Sequence, residues 1–398
     1  MPATPAQQLI DAALKYHGTG QLEQAELLYR QALALEPDNY NVLHLLGVIY
    51  YQGGGLEQAE ALIRRAVQIA PKFAEAHSNL GVVHQAQKRL EEAAAAYERA
   101  LALKPKFTLA RFNLGNVRRD QGRLQDAIAC YRKALASKPD HVEAQFNLGN
   151  ALRNAGNNKD AAAAYRKVLA LNPQNDTARH WIDALTQRQT DRAPANYVRE
   201  VFDDYAENFD RHLVEGLGYQ TPRVLADTLR ELSLPQKLEV LDLGCGTGLF
   251  GLEIHERASR LVGVDLSPKM ITKARERGIY HELAVSDIVD FSNGVADASF
   301  DVIAAADVFV YLGDLAKIFH QAQRILRPQG VFAFTVETNT EVEQDYRLEL
   351  TGRYVHNRNY LGKLAQQEGL NETCCISAVI RQEKGVPVNG YVLLYSKR

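Results

Sequence analysis

The sequence predicts an all-α superhelix of helix-pair repeats over residues 1–190, followed by an α/β domain over 191–398. The second domain is expected to hold a seven-stranded, mostly parallel sheet with one antiparallel strand. Three observations predict this. Prolines recur every 34 residues at Pro37, Pro71, Pro105, Pro139 and Pro173. Short apolar runs alternate with helical patterns after residue 197. The first of those runs ends in LDLGCGTG at 241–248, an acid followed by three glycines at every second position. A chain of 398 residues also exceeds one ordinary core, so two domains are expected.

The repeats come first in chain order. Gly47, Gly81, Gly115 and Gly149 share the 34-residue spacing, and five units align at 6–39, 40–73, 74–107, 108–141 and 142–175. Each reads as two helices with a turn such as DQGRL or NAGNN between them. Small residues, Gly81 against Ala93 and Gly115 against Ala127, would let the two helices approach. Proline cannot continue a helix and closes the second one. Gly53-Gly54-Gly55 lacks a following Lys-Ser/Thr and falls where a turn belongs. His77 and His84 occupy packing positions. Five agreeing copies resemble tetratricopeptide repeats. Residues 176–190, with Trp181 and Ile182, would add a helix capping the array.

Asn79, Asn113 and Asn147 hold one position in units 3, 4 and 5, and unit 2 has Leu45 there. A side-chain amide offers both donor and acceptor. A ladder of them resembles the asparagine ladder of the superhelical repeats in O-linked N-acetylglucosamine transferases, which implies a groove for a protein or peptide partner. Repeat degeneracy is the competing explanation.

QTDRAPANY, around 189–197, reads as the linker. Candidate strands follow at 237–243, 260–266, 281–286, 300–307, 330–337, 373–380 and 390–396. Helical patterns separate the first five, which argues for a doubly wound sheet. The last two would form a hairpin. Ligands in such sheets bind beyond the carboxyl ends of the strands. Asp242, Asp265, Asp287, Asp307 and Glu337 stand at five successive strand ends.

Gly246, Gly248 and Gly251 match G-x-G-x-x-G, the dinucleotide pattern. The frame here is D-x-G-x-G-x-G, with Asp242 ahead of the first glycine. A carboxylate there repels a pyrophosphate and suits a ligand carrying an ammonium and a sulfonium. VLDLGCGTG resembles the first motif of class I S-adenosylmethionine-dependent methyltransferases. VDLSPKM, SDI and FDVIAAADVFVYLGDL resemble their later segments, over roughly residues 197–398. The order of modules resembles predicted methyltransferases that carry tetratricopeptide repeats. The resemblance implies a Rossmann-like fold and S-adenosyl-L-methionine as cofactor. It implies that Asp242, Gly244, Cys245, Gly246, Thr247 and Gly248 contact the methionine part and that Asp265 binds the ribose. Asp287 and Ile288 would frame the adenine, with Leu266 and Met270 beside it. Cys245 is read as a small turn residue, not a nucleophile.

Methyl transfer from a sulfonium needs alignment above all. D-V-F-V-Y after the fourth strand is not the Asn/Asp-Pro-Pro-aromatic motif, which argues against planar amide or base nitrogens as acceptors. Candidate acceptor-side residues are Asp307, which also borders the cofactor, Tyr311, Glu337, Arg353, Tyr354 and His356. Asp307, Tyr311 and His356 are the candidates for catalysis, and ordinary packing competes for His356. VFDDYAENFD, 201–210, resembles a lead-in helix or flap, with Tyr205 and Phe209 sharing one helix face.

Charge and cysteine usage set the remaining bounds. Residues 1–190 carry 23 Lys and Arg against 18 Asp and Glu, and residues 191–398 carry 23 against 30. An acidic second half is a poor nucleic-acid surface. Cys130, Cys245, Cys374 and Cys375 have no metal-ligand spacing, so reduced thiols, a cytoplasmic location and no metal are expected. No signal peptide and no membrane span are expected either. The reading is a methyltransferase with a protein-interaction module and an undetermined acceptor, either a protein side chain or a small molecule. The competing reading is a cofactor-binding scaffold without turnover.

Overall fold

The computed structural model of the chain describes residues 3–216, 218–338, 343–383 and 385–398. It divides into two compact units, Met1–Pro173 and Gln174–Arg398.

The first unit is five helix pairs: α1 (Pro5–Gly18) with α2 (Leu22–Leu35), α3 (Tyr40–Gln52) with α4 (Leu56–Ile69), α5 (Ala74–Ala86) with α6 (Leu90–Leu103), α7 (Thr108–Asp120) with α8 (Leu124–Ser137), and α9 (Val142–Asn154) with α10 (Asn158–Leu171). Each second helix stops two residues before its proline. The intervening residue leaves the helical region, for instance Glu36 at φ −130° and ψ 78°, because a following proline disfavours that region. The turns inside the pairs need a left-handed residue. Gly20, Gly54, Gly122 and Gly156 supply it at φ 74–81°, and Lys88 takes the same place at φ 60°. Tyr29, Ile63, Tyr97, Tyr131 and Tyr165, spaced by 34, are fully buried. A Cβ at Gly81, Gly115 or Gly149 would stand 2.6–2.8 Å from the ring of Tyr97, Tyr131 or Tyr165. The glycine therefore makes room for a tyrosine, not for the alanine that the sequence pattern suggests.

In the second unit, α11 (Asp176–Leu185) and α12 (Ala195–Tyr205) lead to α13 (Thr221–Arg230). The sheet strands are β1 (Leu238–Leu243), β2 (Ala258–Asp265), β3 (Glu282–Val285), β4 (Phe300–Ala305) and β5 (Leu326–Glu337), followed by a small hairpin, β6 (Tyr346–Leu348) and β7 (Tyr354–His356), and then by β8 (Leu370–Glu383) and β9 (Val386–Lys397). Helices α14 (Leu249–Ile254), α15 (Pro268–Glu276), α16 (Ile288–Asn293), α17 (Ala316–Ile325) and α18 (Arg358–Gln367) lie between them. The sheet order is β3-β2-β1-β4-β5-β9-β8, with only β9 antiparallel to the strand direction of the rest. Side chains alternate across it. Leu241 and Leu243 join Ile318, Phe319 and Leu361 on one face, while Leu238 and Val240 join Leu225, Leu229 and Phe250 on the other. The chain reverses direction of winding between β1 and β4, so a crevice opens there.

Two segments differ from the sequence pattern. GRYVHNRNYL, at 352–361, lies outside the candidate strands, yet contains β7 ahead of the start of α18. The helix over 176–185, read as the cap of the array, belongs to the second unit, so the division falls ahead of 190. His180 Nε2 bonds the Gly352 carbonyl oxygen at 2.9 Å, and the His180 and Trp181 rings pack on Tyr197. Gly352, at φ 79°, leaves room for the Trp181 ring. The four cysteines are unbridged. Among the described residues no helix is long and apolar enough to cross a membrane.

Candidate functional site

LDLGCGTG leaves β1 as a turn that only glycine accepts. Gly244, Gly246 and Gly248 all lie at positive φ, 66°, 55° and 91°. The Cys245 amide donates to the Val264 carbonyl at 2.9 Å and Gly248 N to the Cys245 carbonyl at 2.8 Å, which ties the turn to β2 and to itself. A Cβ at Gly244 would meet Val308 at 2.6 Å. At Gly246 it would meet nothing closer than the Phe209 ring, 3.7 Å away, so this face is open to a ligand.

Two carboxylates sit under the turn. Asp265 accepts from Gly246 N at 2.9 Å and from Ser267 N at 2.8 Å, one bond per oxygen. Burial still pushes its pKa up to about 6. Each oxygen keeps a lone pair that a vicinal diol can use. Asp242 is buried and accepts from the Tyr280 hydroxyl at 2.6 Å. Burial raises it to about 7. Gly251 and Gly263 explain themselves here. A Cβ at either would lie within 2.4–2.8 Å of the Tyr280 side chain, so both glycines clear its path to Asp242. Gly251 is thus a packing residue, not the third glycine of a dinucleotide turn.

A cleft of about 730 Å³, open to solvent, runs over the strand ends, between Asp265, Leu266, Asp287 and Ile288 on one side and Asp307 and Tyr311 on the other. A second space of about 320 Å³, reached by Asp242, Cys245 and Thr247, adjoins it at Gly244 and Gly246. Phe202, Phe209 and Tyr219 line the larger cleft, and Tyr205 packs edge-on against Phe209. Acids missed in the sequence hold this segment down. Asp210 accepts from Thr247 Oγ1 and from Arg277, both at 2.5 Å, and Asp203 accepts from Ser267 Oγ at 2.6 Å. Met270 lies on the buried face of α15 and does not line the cleft. Asp287 caps α16 through Val289 N at 2.9 Å and pairs with Arg192. The stretch read as a linker is therefore built into the site: Arg192 and Ala193 line the cleft, and Ala193 N bonds the Tyr311 carbonyl at 2.9 Å. Burial lifts the Cys245 thiol well above its usual range, which makes it inert.

A methyltransferase-domain model matches residues 234–382, and tetratricopeptide-repeat models match 16–81, 74–107 and 112–176. A malonyl-[acyl-carrier protein] O-methyltransferase of Hahella chejuensis is 30% identical over 194 residues, 46% of this chain and 67% of that protein. This chain belongs to the methyltransferase family. The protein of the same name from Serratia marcescens is 34% identical over 97 residues, 24% of this chain and 37% of its own. Human methyltransferase-like protein 27 is 29% identical over 146 residues, 35% and 57% of the two chains. The chain spans less than half the length of the first relatives it matches. S-adenosylmethionine is the methyl donor of the domain. The residues fit it: an open glycine face, a carboxylate with capacity for a diol, and a buried carboxylate whose raised pKa a cationic ammonium would offset.

Beyond the turn, the sheet domain carries a buried ion cluster. Arg381, 2% exposed, directs each guanidinium nitrogen to a different carboxylate: Nη1 to Asp307 at 2.9 and 3.0 Å, Nε to Glu383 at 2.8 Å, and Nη2 to Glu337. Arg353 pairs with Glu383 and approaches Glu337 at 3.9 Å. Asp307, Glu337 and Arg353 thus meet, whereas Tyr354 and His356 go elsewhere. The Tyr354 hydroxyl bonds Thr190 Oγ1 at 2.5 Å. His356 is fully buried, its Nε2 spent on the Leu312 and Gly313 carbonyls at 2.9 and 3.2 Å, and burial lowers its pKa to about 4. Neither lines the cleft. Arg381 and Glu383 escaped sequence reading because nothing local marks an arginine in a strand as buried.

In the first unit, Asn79 Nδ2 lies 2.7 Å from His44 Nε2, and Asn147 Nδ2 donates to Asn116 Oδ1 at 3.0 Å. Each reaches into the preceding repeat. Asn113 is half-buried, and Tyr97 lies close enough for its amide to bear on the phenol's pKa.

Proposed function

We propose that the chain transfers a methyl group from S-adenosylmethionine to an acceptor recruited through the repeats. One observation carries this reading: the left-handed glycine turn and Asp265 meet, in one cleft, an aromatic flap and Asp307. In this reading Asp265 takes the ribose hydroxyls, and Leu266, Asp287 and Ile288 frame the adenine. Asp242 and the backbone of Gly244 to Gly248 receive the amino-acid end. The bound donor supplies a methyl group on a sulfonium, ready for in-line displacement. Phe202, Phe209 and Tyr219 exclude water from the reacting end, and Asp210 and Asp203 hold the flap that bears the two phenylalanines.

The acceptor end bears on the chemistry. Asp307 is engaged by Arg381, and burial raises the Tyr311 hydroxyl above its ordinary range. No histidine lines the cleft among the described residues. Such a wall suits an acceptor that arrives with a free lone pair and needs no general base. The relatives named for malonyl-[acyl-carrier protein] act on a group carried by a protein. The repeats would offer a docking surface for a carrier of that kind, with Asn79, Asn113 and Asn147 along it. Unbridged cysteines favour a cytoplasmic setting.

The test is transfer of labelled methyl groups from S-adenosylmethionine into a lysate split into protein and small-molecule fractions. Label in the protein fraction is expected, and it should fall when Asn79, Asn113 and Asn147 are all changed to Ala while cofactor affinity holds. Cofactor binding with no transfer to either fraction would replace this reading with a scaffold.

A further inference from the structure

β8 carries an irregularity whose purpose lies in the cleft. Its pairing with β9 slips between Val379 and Arg381, which face Asn389 and Val388. The extra residue, Ile380, breaks the alternation of the strand: Val379 is exposed, and both Ile380 and Arg381 are buried. A bulge of this kind re-aims a side chain. Two features brace it. Thr221 Oγ1 donates to the Ile380 carbonyl at 2.9 Å. Gly390 leaves the space that Ile380 fills, since a Cβ there would stand 2.6 Å from Ile380 Cγ1. The side chain delivered by the bulge is Arg381, and Nη1 lands on both oxygens of Asp307.

Asp307 is itself held in an unusual state. It is a non-glycine residue at φ 60°, a conformation that persists only where the surroundings enforce it. Its N–H donates to Thr335 Oγ1 at 2.8 Å, and its carboxylate is gripped by Arg381. Strand order gives its place along the cleft. Asp287 follows β3, Asp265 ends β2, the glycine turn ends β1 and Asp307 follows β4, so Asp307 lies at the opposite end of the row from Asp287.

We propose that Arg381 is a positioning residue, brought in by the β8 bulge to fix the Asp307 carboxylate toward the sulfonium end of the cofactor cleft. This rests on the cleft being the S-adenosylmethionine site. Arg381 acts through Asp307, so its effect is confined to ligands that carry the positive charge. S-adenosylhomocysteine has the same body without the sulfonium charge and serves as the reference.

The experiment is calorimetry on the full chain with S-adenosylmethionine and S-adenosylhomocysteine, over wild type, Arg381→Met, Arg381→Lys, Asp307→Asn and the double variant Arg381→Met/Asp307→Asn. The ratio of the two dissociation constants should shift about tenfold toward S-adenosylhomocysteine in Arg381→Met and in Asp307→Asn. Arg381→Lys should recover part of it, and the double variant should lose no more than either single one. An unchanged ratio in Arg381→Met, or losses that add in the double variant, overturns the proposal. If Arg381→Met shows no cooperative melting, Arg381→Lys carries the test, because it keeps the positive charge and loses the planar fork that reaches Asp307, Glu337 and Glu383 together. A shift of about threefold is then expected, and no shift overturns the proposal. A wild-type chain that binds neither compound would instead refute the cofactor reading.

Discussion

The repeat glycines and Gly246 at the cleft do opposite jobs. In the repeat array Gly81, Gly115 and Gly149 are absences that tyrosine rings fill, the same contact made three times. In the sheet domain Gly246 is an absence left open over a cleft, and it occurs once. The first use concerns stability and is shared among repeats. The second concerns a ligand and has no substitute. A substitution in the array should therefore cost folding free energy and leave binding alone, while one at the cleft should do the reverse.

The largest expected effect tests the cleft side. Asp265→Ala should weaken S-adenosylmethionine binding by about 100-fold, since it removes charge-assisted bonds worth roughly 1.5–3 kcal/mol each. The melting temperature should fall only modestly, because the loss of the acceptor for Gly246 N and Ser267 N is partly offset by relief of a carboxylate that burial pushes up to about 6. Calorimetry and thermal melting on one sample separate the two readouts. A large stability loss with intact affinity would break the comparison.

Gly115→Ala tests the other side. The added methyl would lie 2.6 Å from the Tyr131 ring, and overpacking of this kind costs about 1–3 kcal/mol. Denaturant unfolding should show that loss with cofactor affinity unchanged.

Acid should also separate the units. Burial lowers His44 in the array and His356 in the sheet domain to about 4, against about 6.5 in an unfolded chain. Both are neutral when folded, so the stability they contribute is present above about pH 6.5 and is lost as pH falls toward 4. The sheet domain has an opposing pair. Asp242 and Asp265, raised to about 7 and 6, impose a penalty that is full above those values and declines as pH falls from them toward the unfolded value of about 4. Between pH 7 and 5 the array should lose roughly 2 kcal/mol, whereas in the sheet domain the relief at Asp242 and Asp265 outweighs the loss at His356, so that domain should hold or gain stability. Trp181, the single tryptophan, reports on the second unit by fluorescence, and far-UV dichroism follows the helices. Equal losses in both would sink the sign argument for Asp242. The smallest effect expected is a gain. Lys88 holds a left-handed position that glycine fills in four other repeats, so Lys88→Gly should stabilise the array by less than about 1 kcal/mol in the same unfolding assay.

Legibility in the sequence followed the range of the interaction. The turn at LDLGCGTG and the acids at strand ends could be read because each is set by neighbours a few residues away. The acceptor side could not. His356 looks like a base by residue type, yet two carbonyls from the Leu312–Gly313 turn consume it. Phe209 was visible in VFDDYAENFD, but the acids of that same segment, Asp203 and Asp210, gave no sign that they latch it to Ser267 and Thr247.

The sequence by itself determined the two-part organisation, the 34-residue period, the doubly wound sheet and the glycine turn after β1. Periodicity, glycine placement and strand-end carboxylates are local features, and local sterics translate them directly into backbone geometry. Only the tertiary structure decided which polar groups share the cleft. Tyr280 reaches Asp242 across 38 residues and Arg381 reaches Asp307 across 74. The first meeting needs two distant glycines to stay clear, and the second needs a bulge in a strand near the sheet edge. Such contacts depend on strand order and register, which assemble residues that carry no mark of one another in the chain.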